Sequence, residues 1–247
     1  MPEPTDFLNA SRKGVQAISS RKIALAAGVL FIITFVTSIP AFFVLYHPLL
    51  TDPAKYILGT GADTQVFFGA LLEVILAVTG VGTAVVLYPI VKRQNEIAAL
   101  AYVTSRVLES AAIMVGIFSV LSVVTLRQDF SGVAGTDTAS LVIAGKSLVA
   151  IHDWTFLLGP TLLAGLGNGV LLGYLMYKSG LVPRRMALLG LIGGPLVIAS
   201  TVCVLFGVFK AGSAWQAIAT GPEFFWELSL GIYLIVKGFK PSPIISG

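Results

Sequence analysis

Apolar runs of membrane-crossing length alternate with short polar breaks along the whole chain. They occupy 23–46, 65–91, 97–126, 147–177, 185–209 and 217–236, and a helix needs about 20 such residues to cross about 30 Å of hydrocarbon. The pattern predicts an all-α polytopic membrane protein, a six-helix transmembrane bundle with the lipid bilayer as its solvent. The longest breaks, 47–64 and 127–146, are too short to enclose a core of their own. Residues 23–239 therefore read as one transmembrane domain, with a cytoplasmic segment at 1–22 and a cytoplasmic tail at 240–247.

The basic residues orient these spans. Arg12, Lys13, Arg21 and Lys22 precede the first span, Lys92 and Arg93 follow the second, Lys178, Arg184 and Arg185 follow the fourth, and Lys237 and Lys240 follow the sixth. The alternate breaks hold only Lys55, Arg127, Lys146 and Lys210. An excess on every second break fits the positive-inside rule with both termini cytoplasmic. It also accounts for the net charge of +4, so no nucleic-acid partner is expected. The first apolar run is too long for a signal-peptide core and reads as an anchor. Composition agrees, with 56% hydrophobic and 11% charged residues against roughly 25% charged in soluble domains.

Against that background, seven ionisable residues stand inside or at the edge of the spans: Glu73, Arg106, Glu109, His152, Asp153, Glu223 and Glu227. A charge at mid-bilayer costs about 2.5–3.5 kcal/mol even on lenient scales, so each needs a partner, water or a function. Counting helix rise from the cytoplasmic ends places Arg106 at about 13 Å, Glu227 at about 15 Å, Glu109 at about 18 Å, Glu223 at about 21 Å, Glu73 at about 28 Å and His152-Asp153 at about 36 Å. The polar groups climb from mid-membrane to the outer face, which predicts an outward-facing acidic cavity. Arg106 and Glu109, three apart, share a helix face with Tyr102, Ile113 and Gly116, and Glu73 shares one with Gly69, Ala77, Gly80 and Ala84. Small residues let membrane helices approach closely, so spans two, three, four and six should line the interior and spans one and five should be peripheral. Arg106 should contact Glu109 or Glu227.

Structural roles compete for the same residues. Asp153 reads as the N-cap of the fourth span, and Pro222-Glu223 as the first turn of the sixth. An Arg106–glutamate pair can fix helix packing alone. Trp154, Trp215 and Trp226 read as an interfacial belt. Glu73 and Glu227 have no such structural role in the sequence. Cys203 has no partner for an intramolecular disulfide and reads as a small apolar residue. Two histidines, His47 and His152, exclude a three-histidine zinc site in one chain. With no phosphate-binding loop and no CxxC pair, no metal and no cofactor are expected. His152 beside Asp153 reads as a pH-sensitive lid and not a catalytic dyad, because sequence neighbours on a helix do not face each other.

Long segments carry a resemblance. SRKIALAAGVLFIITFVTSIPAFFV (20–44), YILGTGADTQVFFGALLEVILAVTGVGTAVVLYPIVKRQNE (56–96), SRVLES (105–110), HDWTFLLGP (152–160), SGLVPRRMALLGLIGGP (179–195) and PEFFWELSLGIYLIVKGF (222–239) resemble the bacterial membrane proteins grouped as domain of unknown function 4386. The resemblance implies a six-helix protein of the bacterial cytoplasmic (inner) membrane and assigns no residue a role. Three functions fit the residues: binding or transport of a small molecule or ion near the midplane, an acid/base enzyme acting on a lipophilic substrate, or a structural or accessory subunit with no ligand. The depth range of the polar groups favours the first. The sequence sets no oligomeric state.

Overall fold

The computed structural model of the chain describes residues 4–59, 62–130, 132–133, 135 and 137–246, with side chains described from residue 20 to 245 within those ranges. The side chains of Arg12 and Lys13, part of the basic group before the first span, lie outside the described residues, as does the start of the 1–22 segment. Helices account for the described architecture: α1 (Pro4–Pro40), α2 (His47–Thr51), α3 (Pro53–Leu58), α4 (Asp63–Val91), α5 (Glu96–Phe130), α6 (Thr138–Phe156), α7 (Gly173–Ser179), α8 (Arg184–Leu205), α9 (Ala214–Val236) and α10 (Pro243–Ser246). α1 continues through a π-helical turn at Ala41–Leu45, and two π-helical stretches, Leu157–Leu163 and Gly165–Leu172, join α6 to α7.

Among the described residues, five helical segments are long and apolar enough to cross a membrane: Ser20–Leu45, Asp63–Val91, Glu96–Phe130, Thr138–Ser179 and Arg184–Leu205. The sixth expected span is helical, as α9, over 23 residues. It falls short of that apolarity because Glu223 and Glu227 lie within it.

The breaks differ most from expectation. The 47–64 break folds into α2 and α3, each with proline at its start, and the Asp52 side chain accepts the Lys55 N–H at 3.0 Å. Most of the 127–146 break is helix: α5 runs on to Phe130 and α6 begins at Thr138. Asp137 caps that start, accepting the Ser140 hydroxyl at 2.6 Å and the Ala139 N–H at 3.1 Å, bonds that hold its carboxyl below the usual range. Asp153 is therefore well inside a helix and caps nothing. α9 likewise begins at Ala214, with the Ser213 hydroxyl accepting from Gln216 N–H, so Glu223 is mid-helix rather than at a helix start.

The basic breaks meet at one end of the bundle. Arg21 donates to the last carbonyls of α9, Leu234 at 2.9 Å and Ile235 at 2.6 Å, which satisfies the free end of that helix. Arg93 donates to Ile244 O at 3.1 Å, and Lys240 N–H to Leu181 O at 2.8 Å. Just inside this end lies an apolar core with Phe31, Leu87, Tyr102, Leu175 and Trp226. A second core, with Tyr46, Leu49, Ile57, Val120 and Val123, fills the opposite end. There Asp63 pairs with Arg127 and also accepts from Tyr56 Oη at 2.7 Å and Gln128 Nε2 at 2.8 Å. Burial, reinforced by the Asp63 bond, pushes the Tyr56 phenol up.

Spans one and five are the least buried of the five apolar spans, as expected, and both still reach the sixth. Cβ atoms built on Gly28 of α1 and Gly193 of α8 would fall 2.7 Å from Gly231 O and 2.5 Å from Glu223 N, so both helices close directly on α9. Trp226 is no belt residue; it is fully buried and donates to Asn168 O at 2.8 Å. Trp154 and Trp215 are exposed.

Candidate functional site

Four of the seven ionisable residues converge between the two apolar cores. Arg106 and Glu109 come from one face of α5, and Glu223 and Glu227 from adjacent turns of α9. Arg106 donates through Nη1 to Glu109 Oε2 and through Nε to Gly80 O at 3.2 Å. A Cβ on Gly80 would stand 2.8 Å from the guanidinium, so that glycine is what lets the side chain lie against α4. The expected arginine–glutamate contact is thus made within α5.

Glu227 is partly buried, and its Oε1 accepts from Asn168 Nδ2 at 2.8 Å. Asn168 sits in the second π-helical stretch. The helix departs from α geometry around Pro160, which lacks an N–H and whose ring clashes with the carbonyl four residues back. That carbonyl, Phe156 O, accepts the Thr161 hydroxyl at 3.3 Å instead. Ser105 Oγ anchors the stretch to α5 through Leu163 O at 2.9 Å.

Glu223 differs from the other three. Its residue is 4% exposed and neither carboxylate oxygen has a hydrogen-bond partner. Gly169 and Gly193 make room for it: Cβ atoms there would lie 2.6 and 2.9 Å from Oε2. Asn168 Oδ1 is also buried and unpartnered. Glu223 feels the charges of Glu227, Glu109 and Arg106 together.

A second polar station lies about 10 Å away along α4 and α5, seven residues at helical rise from Gly80 and Glu109. Here Glu73 of α4 and His152 of α6, 1% exposed, flank a narrow cleft lined also by Ile113, Gly116, Thr155, Phe156 and Pro160. The cleft has room for about one water molecule. Tyr46 stands edge-on to the His152 ring, centroids 5.7 Å apart, and within electrostatic reach of Glu73. It reaches α4 because Gly69 has no side chain; a Cβ there would be 2.5 Å from the Tyr46 ring. His152 Nδ1 has no hydrogen-bond partner, and Asp153 Oδ1 lies 3.5 Å from it.

Asp153 has a side chain 62% exposed, with its Oδ1 3.5 Å from His152 Nδ1; Glu73 is the acid across the cleft from the histidine. Sequence reasoning did not assign site roles to Asn168, Tyr46 or the glycines at 169 and 193. Asn168 carried a usable signal, an amide inside an apolar run. Among the described residues, no group of three or more His, Cys, Asp or Glu is arranged to hold a metal ion.

A family model described as "Domain of unknown function (DUF4386)" matches residues 26–238. No curated protein and no solved structure matches the chain.

Proposed function

We propose that this chain, which belongs to the domain of unknown function 4386 family over residues 26–238, binds or transports a small molecule or ion at the layer joining α5, α9 and the π-helical stretch. In this reading α9 is a sixth crossing, both termini are cytoplasmic by the positive-inside rule, and the membrane is the bacterial inner membrane. The observation that carries the reading is Glu223, buried with both oxygens unpartnered. A layer that served packing alone would satisfy its own polar groups, as Arg106, Glu109 and Glu227 do through Gly80 and Asn168. Carboxylates and an arginine near mid-membrane are also the kind of group that secondary transporters place around substrate or coupling ions.

The test is a ligand screen by thermal stabilisation of purified protein, followed by Glu223→Gln and Glu227→Gln, each of which removes a charge and keeps the side-chain shape. Both variants are expected to elute as folded protein and to lose the stabilisation. Retention of every wild-type shift by both variants sinks the reading. A second reading, an acid/base enzyme acting on a lipophilic substrate, draws on Glu73 and His152 facing one water-sized cleft; a chemically altered lipid product would select it. Orientation is tested separately by impermeant labelling of single cysteines in a Cys203→Ala background. Position 94 should stay unlabelled in intact cells, and its modification from outside would reverse the topology.

A further inference from the structure

The layer leaves acceptors that its own donors do not reach. Among the described residues Arg106 is its one guanidinium, and it feels three carboxylates, Glu109, Glu223 and Glu227. Its Nη1 donates to Glu109 and its Nε to Gly80 O, and the buried Tyr102 hydroxyl beside it bonds to none of the three. The Asn168 amide nitrogen goes to Glu227, the Trp226 indole to Asn168 O, and the Ser105 hydroxyl to Leu163 O. Glu223 Oε1, Glu223 Oε2 and Asn168 Oδ1 are left, three buried oxygens with no donor. The bond to Glu227 fixes which end of the Asn168 amide is the free one, since a carboxylate accepts and only the nitrogen can donate.

A buried set made only of acceptors is completed by positive charge or by a donor, never by another acceptor. Resting on the function proposed above and naming its ligand, we propose that Glu223 and Asn168 form a binding site for a singly charged cation, either an alkali ion or a primary ammonium group. Arg106 offsets Glu109 and the Asn168 amide serves Glu227, so Glu223 is the one carboxylate without a donor, and a single positive charge completes it. A carboxylate with an amide oxygen is a hard, all-oxygen donor set, and no metal-holding group of three or more His, Cys, Asp or Glu exists among the described residues, which sets divalent ions aside. Asn168 also lies where the backbone is π-wound, a departure from α geometry that recurs at functional sites.

The experiment uses full-length protein in detergent, melted in N-methyl-D-glucamine chloride while sodium, potassium or methylammonium chloride replaces it at constant ionic strength, so that screening does not change. At least one small cation should raise the melting temperature saturably. The alkali and methylammonium arms distinguish the two sources of charge. Glu223→Gln should abolish the saturable shift, and Asn168→Ala should weaken the apparent affinity by about tenfold, as for loss of one bond to a charged group. Asn168→Ala alone decides the matter where Glu223→Gln does not fold.

Stability that follows pH alone, with all salts equivalent, overturns the proposal in favour of a proton. No saturable shift with any cation overturns it too, as does an unchanged shift in both variants. If screened small molecules lose binding in Glu223→Gln while no cation stabilises wild type, the cation site fails and the broader binding reading stands.

Discussion

The two polar stations solve the same problem with different kinds of charge. Around Arg106 the positive charge is permanent, because a guanidinium stays protonated at any physiological pH, and it is locked to Glu109 and Gly80. Around Glu73 the basic group is the His152 imidazole, and its Nδ1 is unpartnered. The first station is held by a locked ion pair and leaves three oxygens without donors; the second sets a carboxylate against an imidazole with no such lock. A short distance inside one bundle thus separates a guanidinium-bound layer from a glutamate–imidazole pair.

The harshest way to break that contrast is Arg106→Leu. It leaves Glu109 buried without its partner, a loss on the order of 3–5 kcal/mol for a broken buried pair, whereas Arg106→Leu with Glu109→Leu should recover much of it. Thermal melting of the three proteins checks this, and equal damage from the double change would mean the pair is not what fixes the layer.

Gly69→Ala attacks the second station through shape instead of charge. Its new methyl would stand 2.5 Å from the Tyr46 ring, and overpacking of this kind costs about 1–3 kcal/mol. Tyr46→Leu in the same chain should relieve the strain; if it does not, Tyr46 is not seated on α4 as described.

A smaller effect sharpens the pairing itself. With His47→Gln, His152 is the chain's remaining histidine, and its ring nitrogens become directly visible by nitrogen-15 NMR. At one fixed pH, Glu73→Gln should move those signals, and Asp153→Asn should leave them nearly unchanged. The reverse outcome would restore Asp153 as the histidine's partner.

The smallest expected effect concerns the helix that carries His152. The Asp137 carboxyl is held below its usual range by Ser140 and the Ala139 N–H. A depressed folded value means the cap's contribution is present above the unfolded carboxylate range, near about pH 4, and is lost as pH falls through the folded value. Amide exchange at Ala139, corrected for its intrinsic pH dependence, should lose protection on acidification, and Asp137→Ala should remove that dependence.

Much of the bundle was legible because hydrocarbon permits few solutions. Length and apolarity located the helices, and small-residue spacing gave the buried faces, since Gly69, Glu73, Ala77, Gly80 and Ala84 all turn inward on α4. Helix starts were the weak point. Residues 138–146 hold one threonine, one serine and one lysine around an apolar Leu141–Ala144 run and read as part of a break, but Asp137 caps them into a helix. Pro222 looks like a first-turn proline, yet α9 has already begun at the Ser213 cap, and Glu223 is carried to mid-helix. The partners of the site were less visible. That Gly169 and Gly193 seat a carboxylate depends on which helices cross there, and no one-dimensional spacing encodes that crossing.

The π-wound stretches also bear on how this chain can vary in length. A π-helix bonds each N–H one residue further back than an α-helix does, so Leu157–Leu163 and Gly165–Leu172 hold more residues per turn than their flanks. Removing one residue there would let one turn relax to α winding and keep the phase beyond it, whereas removing one from the α-wound turn before Leu157, with the π turns kept, would rotate everything beyond the cut by about 100°. Asn168 would swing off Glu227, and Gly169 off Glu223. Substitutions along this helix act one at a time, whereas an insertion or deletion that the π turns do not absorb resets the phase of the whole site, which makes residue count between His152 and Asn168 a property that the layer depends on.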